Sequence, residues 1–155
     1  MKGDDRILEK LNQLLADELT AINQYMVHAE MCDNWGYDEL DEVIQKRAIM
    51  EMKHAEKLIA RILFLEGKPI VSNLNPIHIG ADVAAQHNND WQAERGAIEA
   101  YNQGARLAVE LGDNGTRDLI EANLVDEESH IDWIEAQQDQ IAQMGLENYL
   151  AQQLG

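Results

Sequence analysis

Apolar residues recur every three to four positions along most of this chain. The first run is Ile7, Leu8, Leu11, Leu14, Leu15, Leu19, Ile22, Met26 and Ala29. That spacing paints one face of a helix, whereas a strand would alternate. It returns in Leu40, Val43, Ile44, Leu58, Ile62 and Leu65, then in Val83, Ala97, Ile98, Tyr101, Ala105 and Ala108. A last run holds Leu119, Ile120, Leu124, Ile131, Ile134 and Ile141. Gly36, Gly67 with Pro69, the pair Gly112 and Gly115, and Gly145 punctuate the runs. Residues 66–81, EGKPIVSNLNPIHIGA, hold both prolines and read as one long connection. The pattern predicts helices over 5–35, 38–66, 82–111 and 116–144. At ~1.5 Å per residue, each runs roughly 45 Å. Two hairpins joined by one long crossover make an all-α four-helix bundle. A length of 155 residues suits one core, so residues 1–155 read as a single domain.

The stripes contain residues that do not belong in an apolar core. Glu18 lies between Leu14/Leu15 and Ile22/Tyr25 on the core phase of the first helix, and Glu94 holds that phase in the third, before Ile98 and Tyr101. The second helix carries Glu51 and His54 in EMKH, and the fourth carries Glu127 and His130 in EESH. A spacing of three sets Glu and His side by side on one helix face. Glu18 to Glu51 is 33 residues, as is Glu94 to Glu127. Glu18 to Glu94, Glu51 to Glu127 and Tyr25 to Tyr101 are each 76 residues. The second hairpin therefore repeats the first in the placement of these groups. Two hairpins about a pseudo-twofold axis would bring all six to one place.

Four buried carboxylates would each cost several kcal/mol and repel one another. Two divalent cations cancel their formal charge and leave both imidazoles neutral and ligating. Carboxylates bridge two metals while each histidine closes one side. Carboxylate oxygen with imidazole suits iron or manganese, and the lack of thiolates argues against a structural zinc site.

Composition narrows the partners. Twenty-nine acidic residues against twelve basic ones give a formal charge of −17. That field repels phosphate backbones, which excludes nucleic acid, and attracts cations. The single cysteine, Cys32, fits a reducing compartment. MKGDDRILEK has no apolar leader, and LIARILFLEG is too short to span a bilayer. A cytoplasmic protein with no membrane contact is the expectation.

MKGD at the start, ELTAINQY at 18–25, NWG at 34–36, EMKHAEKLIARILFLEG at 51–67, DEESHIDW at 126–133 and MGLENYL at 144–150 resemble the bacterioferritins along essentially the whole chain. The metal motif alone reaches only the wider ferritin-like group, in which two helices each give a Glu and two give Glu-x-x-His. The resemblance implies a ferritin-like bundle whose last segment, LENYLAQQLG, is a short fifth helix. It implies a homo-oligomeric cage of twenty-four subunits built from twofold dimers, storing iron as a ferric mineral. It implies ferroxidase activity on two Fe(II) held by Glu18, Glu51, His54, Glu94, Glu127 and His130. Oxygen or peroxide would take the electrons, and a ferredoxin-type reductant would release the store. Tyr25 would lie behind the ligands and hydrogen-bond one of them, whereas Tyr101 reads first as a core aromatic. Met52, off the ligand face by ~100°, would bind haem iron, one haem shared between two subunits. Asn148 and Gln152 would line a fourfold channel, and Asn34, Glu66, Asp132 and Asp139 an entry route. Taken singly, each of these reads as solvated surface.

The chain departs from the family where Lys46 and Met50 replace a His and an Asp that form an inner-surface iron site in several members. Met50 also faces Asp126 in the 76-residue register. The six-residue centre is expected to remain and the inner site to be lost. His28 and His78 read as surface or interface residues, and His87 as a buried, hydrogen-bonded imidazole. Cys32, Trp35, Trp91 and Trp133 read as packing. Two other readings compete: a di-iron peroxidase of the rubrerythrin kind, and a haem-binding or structural cage with a dead metal site. The first usually adds a cysteine-rich module and a further carboxylate; the second sits badly with six ligands in register.

Overall fold

The computed structural model describes all residues, Met1–Gly155. Five helices and no strands form it: α1 (Asp5–Trp35), α2 (Asp38–Phe64), α3 (Val83–Glu110), α4 (Asn114–Met144) and α5 (Leu146–Ala151). Their ends follow local chemistry. Asp4 caps α1 by accepting from the Arg6 N–H at 2.8 Å. Gly36, at φ 83°, closes it in the left-handed region that a side chain would strain. Gly115 does not flank the α3–α4 turn as its position implied; it lies in the first turn of α4. Asp113 starts that helix early by accepting from the Thr116 N–H at 3.0 Å and from Arg61 Nη2 at 2.8 Å.

α1 and α2 form one antiparallel hairpin, and α3 and α4 the other. Contacts of Tyr25 with Glu94 and of Tyr101 with Glu18 make α1 and α3 antiparallel as well. α2 and α3 must then run the same way, so the chain has to travel the bundle's length between them. Residues 65–82 do this without helix or strand, within the ~3.3 Å per residue that a chain can reach.

This crossover has no helix or sheet of its own to satisfy its backbone. One polar stripe of α1 does so instead. Asn12 Oδ1 accepts from Ile70 N at 2.9 Å, Thr20 Oγ1 from Asn75 N at 2.8 Å, Gln24 Oε1 from His78 N at 3.1 Å and His28 Nε2 from Gly80 N at 3.0 Å. A Cβ on Gly80 would lie 2.3 Å from the backbone nitrogen of Gln86, so only glycine lets the strap pass this close to α3. His28 is therefore not a surface residue. It is fully buried, with Nδ1 2.9 Å from Asp90 Oδ1, while His78 is exposed.

Two apolar clusters fill the bundle. One holds Ile7, Leu11, Leu14, Leu15, Leu58, Ile62 and Tyr101; the other holds Tyr25, Cys32, Leu40, Ile44, Val83 and Tyr149. On α1 the clusters end at Leu15 and resume at Tyr25, and on α2 they end at Ala48 and resume at Ala55. The gap at mid-bundle is where Glu18, Glu51 and His54 sit. Tyr149 docks α5 on the bundle: its hydroxyl donates to Gln137 Oε1 at 2.8 Å and lies 3.0 Å from His87 Nε2. His87 is buried as expected, Cys32 is sealed in the core, and Trp133 packs edge-on against His87. Trp35 is not a packing residue here, being 38% exposed, and half-buried Trp91 donates to Glu135 Oε2 at 3.2 Å. No helix is long and apolar enough to cross a membrane.

Candidate metal centre

One helix supplies each carboxylate. α1 gives Glu18, α2 Glu51, α3 Glu94 and α4 Glu127, and the second and fourth helices add His54 and His130 one turn on. All four acids are at most 2% exposed, His54 is fully buried, and the His130 side chain is 12% exposed. Their donor atoms form two sets, each closing within 4.8 Å: Glu18, Glu51, His54 and Glu127, then Glu51, Glu94, Glu127 and His130. Glu51 and Glu127 belong to both sets, which is the placement of bridging carboxylates. The imidazole centroids stand 6.5 Å apart across the pair.

The distances are short, yet most of the groups do not pair. His54 Nδ1 lies 2.9 Å from Glu127 Oε1, and His130 Nδ1 lies 3.1 Å from Glu51 Oε1. Neither nitrogen has a partner in hydrogen-bonding geometry. Nor do Glu18 Oε2, Glu51 Oε1, Glu94 Oε2 and Glu127 Oε1. Nine buried side-chain polar atoms in the molecule lack a partner, and six of them are these. Buried polar atoms without partners are rare in proteins. Six of them at one point, one from each residue, are potential ligand atoms that converge without pairing. The donor set therefore fits a pair of divalent cations.

The electrostatics agree. Burial, then the Glu51 charge, holds the Glu18 carboxyl well above the usual range; burial and Glu127 do the same to Glu94. Burial opposes charge on His130, but the carboxylates of Glu127, Glu51 and Glu94 outweigh it and lift its pKa to about 11. The same contest, with Glu127, Glu18 and Glu51 prevailing, raises His54. Glu127 alone goes down, because the neighbouring Glu94 carboxyl and the charged His130 and His54 rings outweigh its burial. Without cations the centre holds protons that a metal would displace.

The tyrosines of the 76-residue repeat cross over. Tyr25 on α1 donates to Glu94 on α3, and Tyr101 on α3 donates to Glu18 on α1 at 2.5 Å. Asn123 Nδ2 donates to the Tyr101 hydroxyl at 3.2 Å. Tyr101 is thus more than the core aromatic first read from sequence: it orients a carboxylate, as its repeat mate does. Sequence reasoning also missed Asp126, whose Oδ2 lies 2.8 Å from His54 Nε2. It could have been found as the residue preceding Glu127 in DEESH, in the slot where the repeat writes Met50. A cavity of about 340 Å³ under the crossover strap runs from Asp17, Asn75 and His78 down to Glu18, Glu51, Glu94 and Glu127. Met52 points away from the centre and is 47% exposed.

The family model for the ferritin-like domain matches residues 8–144. The bacterioferritin of Brucella melitensis is 39% identical over 149 residues, covering 96% of this chain and 92% of the relative. That of Mycolicibacterium paratuberculosis is 40% identical over 152 residues, covering 98% and 96%. That of Rhodobacter capsulatus is 39% identical over 137 residues, covering 88% and 85%. The chain belongs to the bacterioferritin family. Iron storage is the function that comes with membership. For a bacterioferritin-family chain, four carboxylates and two imidazoles sealed at mid-bundle have a ready meaning: the fold carries a site chemically matched to the ion it stores.

Proposed function

We propose that the six-residue cluster is a ferroxidase centre that takes Fe(II) as its substrate, within a single functional unit spanning residues 1–155. The observation that carries this reading is the convergence of six partnerless buried atoms, one from each of Glu18, Glu51, His54, Glu94, Glu127 and His130. Two Fe(II) ions bind there and displace the protons that the apo cluster holds. Each ion loses one electron. The two electrons, with two protons, reduce oxygen to hydrogen peroxide, or hydrogen peroxide to two waters. Glu51 and Glu127 bridge, Glu18 and Glu94 each close one side, and the histidines cap the ends. Tyr25 and Tyr101 hold Glu94 and Glu18 in place while charge at the centre changes. The polar cavity under the strap gives small reactants a way in.

Ferric iron then passes into the cavity of a twenty-four-subunit homo-oligomer assembled from twofold dimers in the cytoplasm. Asn148 and Gln152, and Asn34, Glu66, Asp132 and Asp139, are exposed on the single chain and available to line its channels. Met52 suits haem ligation, since the residue is 47% exposed, makes no hydrogen bond within the chain and lies one helical turn from exposed Ile49. One Met52 from each of two subunits would hold a shared haem b or related porphyrin. That group supplies a one-electron carrier for reductive release, with a ferredoxin-type protein as donor. Lys46, exposed and paired with Glu42 at 2.8 Å, and Met50 offer no inner-surface iron site.

Mixing the apoprotein with Fe(II) in air tests the centre. Fast oxidation with iron kept in solution is the expected result. Oxidation no faster than in protein-free buffer would overturn the reading and leave a structural or haem-binding cage.

A further inference from the structure

The two sides of the centre are built unequally. His54 turns Nδ1 to the carboxylates and holds Nε2 2.8 Å from Asp126 Oδ2. That contact fixes the ring: the proton stays on Nε2, and the Nδ1 lone pair faces the metal position. His130 also turns Nδ1 inward, towards Glu51 at 3.1 Å and Glu94 at 3.4 Å. No side chain or backbone group holds its other nitrogen, and its side chain is 12% exposed where that of His54 is 0%.

The cause lies in the repeat. A shift of 76 residues carries Glu127 to Glu51, His130 to His54, and Asp126 to Met50. The first hairpin therefore has a thioether in the slot where the second has a carboxylate. A thioether sulfur is a weak hydrogen-bond acceptor and carries no charge. The ring of His130 is left free to turn and is the less basic ligand.

We propose that Asp126 is a positioning residue that makes the Glu18/His54 side the tighter iron subsite, and that Met50 leaves the Glu94/His130 side the weaker, exchangeable one. The proposal rests on the two-metal reading of the cluster. The first ion fills the His54 side, and the second binds about 10–100-fold more weakly, the usual effect of losing a ligand's outer hydrogen-bond partner.

Anaerobic titration of the assembled protein with Co(II), followed by ligand-field absorption, tests this. Two ions per chain should bind in two resolved steps. Asp126→Ala should weaken the first step about 10–100-fold and merge the two. Met50→Asp, which completes the repeat, should tighten the second step by a similar factor and leave the first unchanged. This gain decides the matter even if Asp126→Ala fails to assemble. Two ions binding the native protein with one affinity would overturn the inequality while keeping the centre. Met50→Asp leaving the second step unmoved would do the same. No Co(II) bound at all would remove the two-metal reading along with the proposal.

Discussion

Changing Tyr101 to phenylalanine deletes one oxygen and strands two buried groups. The ring is 0% exposed and keeps its place in the apolar cluster that holds Leu14, Leu15 and Ile120, so no apolar burial is lost. Glu18 Oε1 loses the donor it has at 2.5 Å, and Asn123 Nδ2 loses its acceptor at 3.2 Å. Asn123 is 0% exposed, so water does not replace its bond, and Glu18, 1% exposed, meets water only through the cavity under the strap. A buried polar group left unsatisfied costs about 1–3 kcal/mol. Allowing for relaxation, the pair costs about 2–4 kcal/mol. In a domain of this size each kcal/mol moves the melting temperature by about 2–4 °C, so the apoprotein should melt roughly 4–16 °C lower. With metal bound the bond is charge-assisted, and Co(II) affinity at the Glu18 side should fall about 10–100-fold. Tyr25→Phe frees only Glu94 and should cost less in melting temperature. Thermal melts followed by circular dichroism, with Co(II) titration beside them, read both effects. A Tyr101→Phe protein melting within about 1 °C of the native one, with its metal affinity intact, would return Tyr101 to the role of core filler.

Other outcomes follow from the same geometry. Burial holds the His87 imidazole down to about 4, against 6.5 in an open chain. Its neutral form therefore costs nothing above pH 6.5. Below that the unfolded chain takes up a proton the folded one refuses, and stability falls by about 3 kcal/mol as pH drops from 6.5 to 4. His87→Gln should flatten that slope in denaturation series, and equal slopes for both proteins would count against it. On the proposed role of Met52, the native protein should show a haem absorption band that Met52→Leu abolishes while Co(II) stoichiometry and helix content stay as they were; no band in the native protein, or a band that survives the substitution, would refute that role. Lys46→Ala should leave initial Fe(II) oxidation within about twofold of native, because its bond to Glu42 is solvent-exposed and screened and it touches no centre residue. A large loss of initial rate would put Lys46 on the iron path.

Helix positions and the cluster were legible because each breaks or keeps a period. The apolar stripes place α1 and α4 to within two residues of their observed starts, and Gly36 and Gly145 mark their ends. Glu18 and Glu94 stand out since a carboxylate on an apolar stripe has no cheap explanation. What periodicity does not carry is which neighbour a side chain meets across the fold. His28 lies on the stripe that holds the strap, and its partner Asp90 is 62 residues away. Tyr101 reaches Glu18 across 83 residues, and His54 reaches Asp126 across 72. Each of these contacts depends on how two hairpins settle against each other. The pattern along one helix fixes a face and leaves the partner open. Gly115 was misplaced for a smaller reason: the cap at Asp113 decides where α4 begins, and a glycine in a first turn costs little.

Anomalous diffraction at the iron edge, from crystals soaked anaerobically in Fe(II), reads the centre most directly. Two peaks per chain are expected. One should lie among Glu18, Glu51, His54 and Glu127, and the other among Glu51, Glu94, Glu127 and His130. Iron found only at surface carboxylates, with mid-bundle density empty, would contradict the account at its root.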